Sequence, residues 1–528
     1  MPRSGHPLVS LYRNFFSVSA LTLLSRVFGF ARDMLMAGVL GTGPVADAFF
    51  AAFRFPNLFR RLFAEGVFNT AFVPIFTGAL EQQGEEAARE IATRIISWLI
   101  VFLVIVTVLA EIFMEALLVP FVPGFLNDPE KFELTVLLTR ICFPYLACMS
   151  LMAAYGGILN GLGRFLAAAF APVLLNIATI IVLAGLVLYQ SSDPAFDAIW
   201  VTIGVMAGGV VQLALVIWAL AKTGFMPRFT WPVVDKSVQR FWFLAVPAML
   251  AGGITQINIF VGTIIASQAD SAISYLYYAD RLYQLPLGII GIAISVVLLP
   301  ELSRHLKGGR RAEADTSQNN ALLISMLLSL PAATALAALA TPIISVLFER
   351  GAFDAEATRA TADALIAFAF GLPAFVLIKV FQPGFFARED TVTPTVIAGV
   401  SVAVNIAISL ALFPALQHVG IAIATTVSAW VNTITLAILL ARRGHFRLSA
   451  SQIRRHAMIL GVALAMALVL WLLAIPLAPW LAANAGTLQK IVALGALIAV
   501  GLVVYFALVH ITGIQKLGTL LARLRRTG

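Results

Sequence analysis

Charge is scarce in this sequence. Acidic and basic side chains make up 12% of its 528 residues, about half of the roughly 25% that a soluble domain carries. That scarcity excludes an ordinary water-soluble fold, and an apolar content of 60% with a mean hydropathy of +0.95 points the same way. Cysteine is nearly absent. Cys142 and Cys148 lie six positions apart on one expected helix, so they face different sides and pack rather than pair. Ten-residue strands of alternating polarity are missing, which argues against a membrane barrel. The six histidines (His6, His305, His418, His445, His456 and His510) fall in loops or near helix ends, without zinc-ligand spacing. No aspartate-rich metal motif and no nucleophile with its base stands in an inner loop, so a membrane-embedded enzyme is a weak reading. A cleavable secretory signal is not expected either, because the first apolar segment is long and carries Arg26, Arg32 and Asp33.

What is present is a succession of apolar runs of about 18–25 residues, each able to cross roughly 30 Å of hydrocarbon as a helix. The expected spans are 15–40, 45–79, 91–119, 134–159, 166–189, 197–221, 241–267, 272–300, 319–348, 361–386, 392–413, 418–441, 456–481 and 488–513. The fold class is therefore all-α and polytopic, with about fourteen transmembrane helices. Basic residues concentrate in alternate loops, such as Lys222, Arg228, Lys236 and Arg240, or Arg442, Arg443, Arg447, Arg454 and Arg455. The loops near Asp193 and Asp270 have none. The positive-inside rule then puts both termini in the cytoplasm. The net charge of +9 is a product of this loop bias, so it gives no argument for nucleic-acid binding.

A weak internal repeat runs at an offset of 229 residues. Pro144 with Asn176-Ile177-Ala178 matches Pro373 with Asn405-Ile406-Ala407. Pro123-Gly124-Phe125 has an approximate counterpart in Arg350-Gly351-Ala352-Phe353, and Phe72-Val73-Pro74 a looser one in Leu298-Leu299-Pro300. The offset covers an even number of spans, so the two copies have parallel topology. The expected organisation is one six-helix lobe in 1–222, a second in 223–445, and two appended helices in 446–528. Such parallel repeats bind their cargo in a central cavity between lobes. The appended helices, nearly free of internal charge, fit structural padding and an apolar groove for a lipid tail equally well.

Eight cations stand out within the spans: Arg26, Arg32, Arg54, Arg60, Arg61, Arg140, Arg281 and Lys379. A charge at the bilayer centre costs about 2.5–3.5 kcal/mol on insertion scales, so such groups face a partner or a watery cavity. Arg140, near an outer end, is expected to snorkel, and Arg60 and Arg61 can do so only if their helix tilts. Arg26 and Arg32 lie too deep for that. The first helix reads Ser25-Arg26-Val27-Phe28-Gly29-Phe30-Ala31-Arg32-Asp33, and both a local pair with Asp33 and a substrate-facing role remain open. In the second helix Asp47, Arg54 and Arg61 recur every seven residues, interrupted by the kink expected at Pro56. Asn57 follows that kink, and Arg61 and Glu65 stand at i and i+4, where they can pair. The eighth helix offers Asp280 and Arg281, and the tenth offers Lys379. Arginine forks donate two parallel hydrogen bonds to a phosphate, so these cations point to an anionic ligand.

At these residues the chain closely resembles the MurJ (MviN) lipid II flippases of the MOP superfamily. The resemblance runs over nearly the whole chain. It is carried by SRVFGFARD at 25–33, ADAFF at 46–50, PNLFRRLFAEGVFNTAFVP at 56–74, YYADRLYQLPLGIIGIA at 277–293 and PGFFAREDTVTP at 383–394. It implies export of lipid II, the undecaprenyl-pyrophosphate-linked disaccharide peptide of peptidoglycan synthesis, across the bacterial inner membrane by alternating access. By motif position it implies cavity roles for Arg26, Arg32, Asp33, Arg60 and Arg281, with Ser25, Asp47, Asn57 and Glu65 in support. It also implies a tail groove in the last two helices. Arg54 stands where some relatives carry lysine. Gln284 stands where some carry an acid, which puts an ion-coupling role at that position in doubt.

The expected substrate-binding residues are thus Arg26, Arg32, Arg60, Arg281, Arg54, Asn57 and Ser25. Gating or charge pairing is expected of Asp33, Asp47, Glu65, Arg61, Asp280 and Lys379. No cofactor motif is visible, and the candidates for the driving force are a coupling ion and the membrane potential. Expected partners are lipid II, membrane lipids and divisome or elongasome proteins. The competing readings are a MATE-like multidrug antiporter, which would want an acidic or neutral cavity, and an enzyme acting on polyprenyl-linked lipids.

Overall fold

The computed structural model describes residues 7–61, 71–482 and 485–514. Glu65 lies outside them. Among the described residues the chain is helical and holds no strand. Among the described residues ten helical segments are long and apolar enough to cross a membrane, and one of them, Val392–Arg442, is twice the usual length. Each expected span falls on described helix, the second only in part.

The chain divides into two compact units, Met1–Ile273 and Ser274–Gly528. The first contains α1 (Pro7–Leu40), α2 (Pro44–Arg60), α3 (Val73–Gln83), α4 (Glu85–Leu118), α5 (Pro129–Cys142), α6 (Tyr145–Gly161), α7 (Leu166–Tyr189), α8 (Pro194–Ala221) and α9 (Lys236–Ala266). A short 3-10 turn, Pro123–Asn127, precedes α5. The second begins within α10 (Ala272–Lys307) and continues through α11 (Arg311–Ala338), α12 (Ala340–Phe348), α13 (Ala355–Phe386), α14 (Val392–Arg442), α15 (Ala450–Leu481) and α16 (Thr487–Ile511). The repeat assigns α9 to the second copy, whereas α9 packs on α2 and α4 in the first unit.

Capping chemistry sets the helix starts. Asp128 and Asp193 each precede a proline and accept a hydrogen bond from a first-turn N–H, of Lys131 and Ala195 respectively. Aspartate satisfies a donor the helix leaves open, and proline at the first position loses no bond. These caps start α5 and α8 several residues before the apolar runs do, so Lys131 is helical. Pro144 separates α5 from α6. Cys142 and Cys148 therefore sit on different helices, both buried and unbridged.

The long α14 is a hairpin. An unbroken helix of 51 residues would run about 75 Å at 1.5 Å per residue, far beyond the bilayer core. Gln417 takes φ 45° and ψ −127°, and a Cβ on Gly420 would come within 3.0 Å of the Leu412 backbone. Residues eight apart on a continuous helix are about 12 Å apart. The returning arm lies along α13, where the Thr426 and Thr433 hydroxyls donate to the carbonyls of Ala367 (2.7 Å) and Ala374 (2.9 Å) and the Trp430 indole donates to that of Phe370 (2.9 Å).

In the second unit, α10, α11, α13 and α14 share a core of Leu298, Leu322, Phe381 and Leu440. Helices α15 and α16 close on α11 through Leu330, Ile459, Met466 and Leu497, and the Tyr505 hydroxyl donates to the Leu327 carbonyl at 2.7 Å.

Candidate functional site

In the first unit the deep charges of α1 are tied to α7. The Arg32 guanidinium donates to Asp33 Oδ1 from Nε (3.1 Å) and Nη2 (2.8 Å), and from Nη1 to Asn176 Oδ1 at 3.1 Å. Asn176 returns Nδ2 to the Ser25 carbonyl at 3.0 Å. A Cβ at Gly29 would stand 3.5 Å from the Asn176 amide, in ordinary van der Waals contact. Arg32 and Asp33 are both buried, at 8% and 3% exposure. The pairing with Asp33 is thus made by the adjacent Arg32. Arg26 is half-buried and makes no hydrogen bond or ion pair with another described residue.

Helix α2 carries the next group. Arg54 Nη1 donates to the Thr263 hydroxyl of α9 at 3.0 Å. Just past Pro56, Asn57 donates to the Phe53 carbonyl (2.7 Å) and accepts from Arg60 Nε (2.9 Å), so Asn57 orients Arg60 one turn along the helix. Arg61 is exposed. Arg140, half-exposed, approaches Glu115 at 3.5 Å.

Asp47 has the most enclosed carboxylate of the set, with no exposure. Its partner is Lys131 Nζ at 3.1 Å, a lysine of 4% exposure. The ammonium lies 4.1 Å from the Phe125 ring centroid. Two buried charges in contact repay part of their desolvation only when geometry and further contacts are good, and here the ring adds a cation–π contact.

In the second unit, Arg281 Nη2 contacts the Tyr277 hydroxyl at 3.0 Å and its carbon centre lies 4.6 Å from that ring's centroid. Asp280 accepts from Gln284 Nε2. Lys379 is exposed on α13, with its stem against Gly291 of α10. Sequence reasoning passed over Lys490, inside the last expected span. It is buried, with Nζ 3.4 Å from Ser345 Oγ and 3.9 Å from Glu349, and joins α16 to α12. It likewise passed over Arg94, inside the third span, which pairs with Asp235 and Glu90.

The loop of the 383–394 motif is held by charge. Asp390 accepts from the Thr393 N–H at 2.9 Å and from Arg443 at 2.6 Å. The Thr393 hydroxyl and N–H, with Arg443 beside them, hold this carboxyl down to about 2.

Asn176, Lys131 and Thr263 were not among the expected site residues. Asn176 was visible only as half of the repeat signature. Lys131 had a signal in Asp128-Pro129, which places it in a first helical turn. Among the described residues no three His, Cys, Asp or Glu side chains group to hold a metal ion.

An all-helical chain with ten helices apolar enough to cross a bilayer among its described residues is a multi-pass membrane protein. The fold agrees: an inward-facing multidrug-resistance MATE transporter of the MOP superfamily superposes with a TM-score of 0.64 at 15% identity, covering 81% of this chain and 98% of that one. The family is narrower. The family model "Lipid II flippase MurJ" matches residues 36–487. The "Probable lipid II flippase MurJ" of Rhizobium tropici is 46% identical over 98% of this chain and 97% of its own length. The "Lipid II flippase MurJ" of Burkholderia cenocepacia is 33% identical over 96% and 98%. A structure titled "Lipid II flippase MurJ, inward closed conformation" has a TM-score of 0.78 at 26% identity, covering 94% of this chain and 98% of that one. The chain belongs to the MurJ family, whose members are flippases rather than enzymes.

Proposed function

We propose that this protein moves lipid II from the inner to the outer leaflet of the bacterial inner membrane, with both termini in the cytoplasm. What supports the reading is the set of cations on helices that coincide with the expected spans: Arg26 and Arg32 on α1, Arg54 and Arg60 on α2, Arg281 on α10. A diphosphate is a fitting cargo for them. Each guanidinium offers a planar pair of donors, and a charge-assisted bond in a water-poor site is about twice as strong as a neutral one. Arg26, which has no partner among the described residues, is the first contact we assign to the headgroup. Arg32, Arg60, Arg54 and Arg281 complete the binding set with Asn57 and Ser25. Asp33, Asp47, Asp280, Arg61, Glu65 and Lys379 tune charge and gating.

The working cycle is alternating access: the basic groups open first to the inner leaflet and then to the outer one while the polyprenyl tail stays in lipid, against α15 and α16. Residues 1–222 and 223–445 act as its two lobes. Divisome or elongasome proteins are the expected protein partners. The shared fold keeps a MATE-like antiporter in view, but cationic drugs would meet like charge at each of these arginines.

The test is complementation of cells depleted of their own lipid II flippase, using this chain and its Arg26→Ala, Arg32→Ala and Arg281→Ala variants at matched membrane levels. Growth and outward lipid II exposure with the parent, lost in the variants, uphold the reading. A well-expressed parent that moves no lipid II overturns it.

A further inference from the structure

Three contacts meet where the chain leaves the first unit. Lys131 Nζ, besides its 3.1 Å bond to Asp47, lies 3.7 Å from Asp270 Oδ1. Gly124, in the 3-10 turn that leads to α5, donates its N–H to Ser267 Oγ at 3.1 Å, and any Cβ at 124 would stand 2.1 Å from the Ser267 carbonyl oxygen. Ser271 has φ 60°, a left-handed backbone on a residue other than glycine. Such a conformation persists only where surroundings enforce it. The boundary between the two compact units follows at once, at 273/274.

We propose that Lys131 is a positioning residue that fastens this connector, with Asp47 as its fixed anchor and Asp270 as its releasable arm. The two carboxylates share one ammonium but not one environment. The Asp47 side chain has no exposure and that of Asp270 is 92% exposed. A pair shielded from water keeps its full attraction, whereas an exposed pair at longer range is worth little and exchanges readily with water. Lys131, also held over the Phe125 ring, therefore stays with α2 while Asp270 comes and goes. Releasing Asp270 frees Ser267–Ser271, a helix end with one strained residue, which is the kind of segment that absorbs a hinge change in φ and ψ. The tether thereby sets when that hinge change takes place. This role in transport rests on the flippase reading; the fastening itself does not.

The experiment is hydrogen–deuterium exchange on the purified full chain in lipid nanodiscs, with lipid II exposure measured in complemented cells. Asp270→Asn is expected to speed amide exchange in 263–272 several-fold, to leave 44–60 unchanged, and to lower outward lipid II exposure. Asp270→Glu is expected to restore both. Lys131→Arg should behave as the parent, and if Lys131→Ala does not fold, the Asp270 pair decides alone. Exchange in 263–272 that is unchanged in Asp270→Asn, or raised equally in Asp270→Glu, overturns the tether. Faster exchange with lipid II exposure unchanged overturns its positioning role. If exchange responds as stated while the parent moves no lipid II, the tether stands and the cargo reading falls.

Discussion

Arg26 and Arg32 share one helix and differ in what their guanidiniums touch. Arg32 neutralises the buried Asp33 and bonds Asn176, whereas Arg26 makes no such contact with a described residue. Removing one member of a buried pair strands the other, at a cost of about 3–5 kcal/mol. Arg32→Ala should therefore lower thermal stability by that order and lose transport, and adding Asp33→Asn should recover most of the stability but none of the transport. Arg26→Ala should lose transport with stability changed by no more than about 0.5 kcal/mol. Thermal unfolding of the purified variants, set beside complementation, checks both. An Arg26→Ala variant as unstable as Arg32→Ala would show a structural role instead. The sequence made these arginines conspicuous because charge is rare there, but not their partners. Nothing along the chain tells that an asparagine 144 positions away reaches Arg32. The repeat's paired glycines teach the same lesson. Gly124 is required by the close approach of Ser267, while Gly351 takes φ 56°, so one signature serves two different needs.

Helices were legible wherever apolar length decides, and their ends were not. A hydropathy window drops a charged first turn, which is how Lys131 passes for a loop residue although Asp128 caps its helix. The break at Pro144 and the turn inside α14 are set by single residues that the window averages away. Gln417 holds a left-handed backbone at that turn, a strain of about 1–2 kcal/mol for an L-residue. Glycine relieves it but loses about 0.5–1 kcal/mol in chain entropy. Gln417→Gly should then be neutral or stabilising by up to about 1 kcal/mol, and a fall in melting temperature would mean that the glutamine side chain itself anchors the hairpin. At the other end of α14, Asp390 is held low by Thr393 and Arg443. Its folded value of about 2 lies below the unfolded value of about 3.9, so its contribution is complete above pH 4–5 and disappears as pH falls through 2. The stability gap between parent and Asp390→Asn, read by thermal melts from pH 6 to pH 2, should narrow over that window. A gap that stays constant would mean that Asp390 does not titrate against Arg443.

On the proposed function, the cations of α1, α2 and α10 lie inside the transmembrane field, and this gives the membrane potential a handle on the cycle. With the cell interior negative, the field draws an empty cationic site toward the cytoplasm, where cargo loads. Once an anionic diphosphate has bound, it offsets part of the moving positive charge, and the same field opposes outward travel less. One polarity therefore drives the return of the empty site and opposes the loaded step only weakly. A full elementary charge crossing the membrane is worth about 2.3 kcal/mol per 100 mV, and a partial crossing proportionally less. Collapsing the potential with valinomycin and external potassium should thus slow outward lipid II exposure at constant protein level, while dissipating only the pH gradient with nigericin should not. Charge removal that still permits growth, for example Arg54→Gln, should weaken that dependence. The opposite pattern, with nigericin inhibiting and valinomycin harmless, would assign the driving force to protons. Asp280, the acid beside Arg281 that accepts from Gln284, would then be the first group to examine.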